Sequence, residues 1–217
     1  MKLLLTSGGL TNKSIEKALF DLVGKEPEDT SLVFIPTASN VKMGDKDWFI
    51  DDLINIQKQN FKSVSIADIS AVPEDIWRPQ MEEADILFFE GGDTYHLMKW
   101  INKSGLVNIL PEFLKTKVYV GSSAGSMSTN PDLVPKMSQI IYGDDMEEKP
   151  MAGLNYVNFY FLPHLNSPHF PACIEEKIGE VAKTLSKKIY ALDDQSALKV
   201  VDGKVEIVTE GKYLEFN

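Results

Sequence analysis

The chain holds a single cysteine, Cys173, among 217 residues. One thiol closes no intramolecular disulfide and builds no cysteine zinc site, so a packed core has to carry the fold. Histidine is scarce as well. His96, His164 and His169 are the only three, and none shows a metal-ligand spacing such as H-E-x-x-H. No metal and no cofactor is expected. Positive charge is in deficit: 22 Lys and Arg face 32 Asp and Glu, a net charge of -10. Such a surface repels phosphate backbones and anionic lipid, which argues against nucleic acid or a membrane as partner. Long apolar runs are missing too. The first, in MKLLLTSGG, meets Ser7 too soon for a signal peptide, and no stretch is long enough to span a bilayer. A cytoplasmic protein is the expectation.

Hydrophobic content of 43% and charged content of 25% suit one globular domain over residues 1–217. Short apolar runs alternate with amphipathic segments. Strands are expected at 3–6, 31–36, 63–70, 85–92 and 118–121, and helices at 15–23, 47–59, 94–102 and 107–114. Strands that are apolar throughout and separated by helices predict a mostly parallel sheet with helices on both faces, an α/β fold. Residues 131–150 read as a loop. A strand over 156–162, a helix over 174–185 and strands at 188–192, 197–201 and 204–210 complete the pattern, the last two joined by Asp202-Gly203 as a C-terminal β-hairpin.

Ligands of parallel sheets bind at the carboxyl ends of strands. Three such ends are rich in small residues: Ser7-Gly8-Gly9, Gly91-Gly92-Asp93 and Gly121-Ser122-Ser123. The last opens Gly121-Ser122-Ser123-Ala124-Gly125, a G-x-S-x-G pattern directly after an apolar strand. In that context the central serine takes a strained turn and stands exposed, and the next amide can hold an oxyanion. Ser123 is therefore the candidate nucleophile and Ala124 a candidate oxyanion donor. Ser122 should point elsewhere, and Ser126 should lie a turn down the helix. Gly92 offers a second amide at the neighbouring strand end, with Thr94 placed to cap the helix that follows.

A serine hydroxyl needs a base. His96 falls inside a helix, on its surface. His164 follows a strand and a proline in FLPHLNSPHF and is the favoured base, with His169 as the alternative. An acid should orient the imidazole. Asp193 and Asp194 follow the strand KIYAL, and Asp144 and Asp145 compete from the middle loop.

FFEGGDTYHLMK (88–99), VGSSAGSM (120–127), LNYVNFYFLPH (154–164) and, more weakly, ALDDQSAL (191–198) together resemble the peptidase E family, cytosolic α-aspartyl dipeptidases and their relatives. The resemblance spans most of the chain. It implies a class I glutamine amidotransferase-like fold with serine at the elbow, Ser123 as nucleophile, His164 as base, and oxyanion amides from Gly92 and Ala124. Asp194 falls where the family carries its acid. Two features depart from the family. Its GGGN is Glu90-Gly91-Gly92-Asp93 here, and the arginine and aspartate that follow its elbow are replaced by Val134 and Ser138. The implied activity is a serine peptidase acting on short peptides, with the loops 131–150 and 165–171 shielding the site. Without the family's arginine and aspartate, cleavage after an N-terminal aspartate needs another reader. Hydrolysis of another amide or ester, and a degenerate small-ligand binder, are the alternatives. A monomer or a homodimer suits the composition.

Overall fold

The computed structural model describes residues 1–143 and 150–217. In chain order its strands are β1 (Lys2–Thr6), β2 (Ser31–Ile35), β3 (Ser63–Ile66), β4 (Ile86–Phe89), β5 (Val118–Ser122), β6 (Asp132–Leu133), β7 (Met151–Ala152), β8 (Tyr160–Leu162), β9 (Ile189–Leu192), β10 (Ser196–Val201), β11 (Lys204–Thr209) and β12 (Tyr213–Phe216). Its helices are α1 (Lys13–Val23), α2 (Asp47–Gln57), α3 (Glu74–Glu83), α4 (Thr94–Lys103), α5 (Leu106–Phe113), α6 (Ala124–Met127), α7 (Pro135–Tyr142) and α8 (Glu175–Ala182). Among the described residues, no helix is long and apolar enough to cross a membrane.

A seven-stranded sheet runs in the order β11-β10-β1-β5-β4-β2-β3. The five strands from β1 to β3 are parallel, and β10 and β11 join antiparallel. The mostly parallel α/β architecture expected from the apolar runs is therefore present. Successive residues of a strand face opposite sides of the sheet. Leu4, Phe34, Phe88 and Val120 pack on one side with Ile15, Leu19 and Leu22 of α1 and Ile56 of α2. Leu5, Val33, Phe89 and Tyr119 pack on the other with Trp77 of α3, Leu97 of α4 and Leu110 of α5. A second sheet, β12-β9-β8, belongs to this latter core. Its strands β8 and β9 are parallel, with Leu162 opposite Ala191.

The C-terminal hairpin forms as read. Asp202 and Gly203 both take positive φ, 48° and 80°, as a two-residue hairpin turn of the right twist requires.

Other segments differ from the reading. Residues 131–150 are not all loop: β6 and α7 lie within them. Pro135 starts α7, Gly143 closes it at φ 73°, and Met137 and Ile141 supply a buried stripe too short to read from the sequence. The helix α3 and the strand β12 went unread. The third strand ends at Ile66 rather than residue 70, because Asp68 turns the chain by accepting hydrogen bonds from Thr37 and Ser70. The strand read over 156–162 is short, Tyr160–Leu162. Asp93, not Thr94, caps α4 through His96 N–H at 2.8 Å.

Asn130 ties the second sheet to the segment beyond α6. Its side chain is buried, accepts from Phe161 N–H at 2.8 Å and donates to Phe161 C=O at 3.2 Å, so it pairs with β8 as a strand would. Asn130→Ala should leave both buried backbone groups unpaired and lower stability by about 3 kcal/mol in urea unfolding.

Candidate active site

The neighbouring strands β1, β5 and β4 end together, so the three small-residue turns read from the sequence come side by side. β5 lies in the middle and delivers Ser123. The backbone there is strained, with φ 48° and ψ -106°, between β5 and α6. The strain is held by close packing. A Cβ at Gly125 would stand 2.0 Å from Phe89 C=O, and one at Gly121 would stand 2.4 Å from Ser126 N. Ser126 lies a turn down, as expected, with its hydroxyl donating to the carbonyls of Thr6 and Gly121. Ser122 points away from Ser123 and donates to Asp52 at 3.1 Å.

His164 comes from the second sheet, two residues past β8, and Asp194 lies two residues past β9. Those strands are parallel neighbours, so their ends also meet. Ser123 Oγ lies 2.8 Å from His164 Nε2, and His164 Nδ1 lies 2.7 Å from Asp194 Oδ1. An ionised carboxylate only accepts, so the imidazole proton belongs on Nδ1, and Nε2 accepts from the serine hydroxyl. The three residues expected as a triad are thus brought into one hydrogen-bonded chain. Phe170 stacks on the imidazole, ring centres 4.6 Å apart.

Burial pushes the Asp194 carboxyl upward. The hydrogen bond and charge of His164 and the hydroxyl of Ser7 outweigh it and hold the carboxyl below its ordinary value. A lowered carboxyl contributes stability that is present above its unfolded value and lost as the pH falls through its folded value.

The competitors are not brought in. Asp193 turns to its own loop, accepting from Gln195 N–H and the Ser196 hydroxyl. His169 is exposed on the loop after His164. Asp144 and Asp145 lie outside the described residues. His96 is half-buried rather than on the surface, with Nε2 enclosed.

Gly92 and Ala124 stand at the ends of the adjacent strands β4 and β5. Gly92 has φ 133° and packs so closely on Ala38 C=O that a Cβ would stand 2.2 Å from it. Ala124 begins α6, where an N–H has no partner within the helix. Among the described residues, no group of three or more His, Cys, Asp or Glu is arranged to hold a metal ion.

Two participants escaped the sequence. Ser7, at the end of β1, donates to Asp194 Oδ1 at 2.7 Å and accepts from His164 N–H at 2.8 Å. Its signal was the Ser7-Gly8-Gly9 turn, which gave the place without the role. Trp48 lies beside the site: a Cβ at Gly91 would be 3.5 Å from its ring and 3.3 Å from Ser123 Cβ. No periodicity marks that contact.

The ends of the two sheets thus bring a serine elbow, a histidine and an acid into one hydrogen-bonded chain. Residues 3–208 match the model of peptidase family S51, and the chain belongs to that family. It is a peptidase. It is 25% identical over 186 residues to an uncharacterized peptidase of Pasteurella multocida, covering 83% of this chain and 86% of that one. It is 32% identical over 130 residues to peptidase E of Shewanella oneidensis, covering 59% and 50% respectively. In three dimensions it is similar to a protein of Listeria monocytogenes EGD-e solved as a candidate peptidase E, with TM-score 0.78, 21% identity and coverage of 97% and 98%. It is also similar to a peptidase from an acI-B1 Actinobacterium, with TM-score 0.67, 17% identity and coverage of 99% and 93%.

Gly125→Ala should cost about 3 kcal/mol or more, since the added methyl meets a carbonyl that cannot retreat; urea unfolding reads it. Asp194→Asn should flatten the loss of stability on the acid side, because the lowered carboxyl no longer takes up a proton there. Urea midpoints of both proteins from acid to neutral pH measure the difference.

Proposed function

We propose that the chain is a serine peptidase that hydrolyses short peptides through an acyl-enzyme. The observation that carries this is the continuous hydrogen-bond chain Ser123–His164–Asp194, 2.8 and 2.7 Å. Ser123 Oγ attacks the scissile carbonyl carbon while its proton passes to His164 Nε2. The carbonyl oxygen becomes an oxyanion between the Gly92 and Ala124 amides. Collapse breaks the C–N bond, and His164 returns the proton to the leaving amine. Water then attacks the acyl ester, again giving a proton to His164. The ester C–O bond breaks, Ser123 regains that proton, and the carboxylic acid product leaves and loses its own proton to water. Asp194 fixes the imidazole tautomer throughout and steadies its cation. Phe170 against His164 and Trp48 beside Gly91 flank the serine from two directions, which favours short substrates.

Recognition of an N-terminal aspartate calls for a cation. Val134 precedes α7 and Ser138 is buried in it, so neither offers one. The chain's one arginine, Arg78, is ion-paired to Glu74 and Glu82 on α3. Lys46 is a cation close to the site: its Nζ lies 5.3 Å from the Trp48 ring centre and donates to Ser39 C=O. Lys46 is the residue we assign to an acidic substrate end.

A dipeptide-library hydrolysis assay tests both statements. Wild type should release amino acids, and Ser123→Ala should lower turnover by about 10⁴-fold or more. Lys46→Ala should raise KM for Asp-Xaa peptides with little change for neutral ones. No turnover by wild type on any peptide, ester or other amide would move the assignment to a binding protein.

A further inference from the structure

Asp52 and Glu90 are buried carboxyls that the reaction above leaves unused. Asp52 is 5% exposed and Glu90 is 0% exposed. Asp52 projects from α2 into the ends of the strands. Its Oδ2 accepts from the hydroxyl of Ser122, the residue before the nucleophile, at 3.1 Å. A Cβ on Gly9 would stand 2.2 Å from its Oδ1, so Asp52 also packs closely on the turn after β1. Glu90 directly follows β4 and leads into Gly91 and Gly92. The two carboxyls are within hydrogen-bonding reach of each other.

Two ionised carboxylates cannot make that contact, because neither has a hydrogen to donate. With both ionised, neither oxygen of Glu90 has a hydrogen-bond partner among the described residues. The Gly91 N–H lies near Glu90 but does not meet hydrogen-bond geometry. The other charges that act on Asp52 are acidic as well: Asp51 on the same helix and Asp194 across the site. One proton held between the two groups removes the repulsion and supplies the missing hydrogen bond. Asp52 stays free to accept from Ser122.

We propose that Asp52 and Glu90 share one proton and act as a positioning strut, fixing the Gly92 turn against the Ser123 elbow. The pair joins α2, the turn after β1, the end of β4 and the end of β5 in one buried contact. The positioning role rests on Ser123 being the nucleophile, whereas the shared proton does not. Burial pushes both carboxyls above their ordinary range, and the hydrogen bond and charge of Asp52 raise Glu90 further. Stability that depends on a retained proton is complete below the ordinary carboxylate range and is lost as the pH rises through the raised folded values.

Glu90→Gln tests the pair, because its amide donates to Asp52 without a titrating proton. Three readouts apply, using the full chain. Wild type at neutral pH should show the infrared carbonyl band of a protonated carboxylic acid, and E90Q should lack it. The melting temperature of wild type should fall more steeply than that of E90Q as the pH rises from mildly acid to alkaline. Labelling of Ser123 by a fluorophosphonate should slow about 100-fold in Glu90→Ala, with E90Q restoring most of the lost rate. Asp52→Ala, which removes the contact from the other side, provides the comparison if E90A does not fold. An unchanged infrared band together with an unchanged pH slope in E90Q overturns the shared proton. Equal labelling of wild type, E90Q and E90A (or D52A in its place) overturns the positioning role. A wild type that does not react with the probe overturns the serine-hydrolase reading and the positioning role with it, while the infrared band still decides the proton.

Discussion

The site depends first on a steric constraint, the close approach of α6 to the ends of β4 and β5. Gly125 lies so near Phe89 C=O, and Gly121 so near Ser126 N, that neither can carry a side chain. Tyr119 locks the arrangement from below, its buried hydroxyl donating to Gly125 C=O at 2.7 Å while its ring stacks on Phe89. With the helix held there, the residue at the turn has no relaxed conformation open to it. Ser123 therefore keeps its positive φ, and its hydroxyl is presented to whatever the second sheet brings. The strain at one residue is the counterpart of the packing at its neighbours.

Around that fixed point the polar groups form a closed set. Ser7 meets Asp194 through its hydroxyl proton and His164 through its hydroxyl oxygen. Thr11 donates to Asp194 C=O at 2.7 Å. The carboxylate that orients the imidazole is thus itself oriented, by residues of the turn that follows β1. Such support separates a positioned group from one that only stands nearby.

Much of this was legible in the sequence. Buried parallel strands are apolar on both faces, so they appear as short continuous runs, and the small-residue turns at their ends mark where a ligand can approach. That is why β1, β2, β4, β5 and the residues Ser123 and His164 could be read. Spacing alone left the acid open among Asp193, Asp194, Asp144 and Asp145, and only the family resemblance pointed to Asp194, because adjacent residues at a strand end point in different directions, which sequence spacing does not encode. The helix α7 was hidden because its buried apolar stripe is two residues long and the prolines Pro131 and Pro135 gave the segment the look of a loop. Asp52 was hidden by its company. It sits in DWFIDDLINIQ, where one acid among three on an amphipathic helix looks solvated, and only the packing of α2 shows that it faces inward.

In the proposed reaction the serine and its base come from different sheets. Ser123 belongs to the seven-stranded sheet, while His164 and Asp194 follow adjacent strands of the small one. Neither sheet alone holds a reactive group, since an unpaired serine hydroxyl is a poor nucleophile. On the proposed mechanism, a chain that has formed only its large sheet is chemically inert toward its neighbours. Under that mechanism reactivity arises only when the two sheets dock, and completion of folding is itself the activation step.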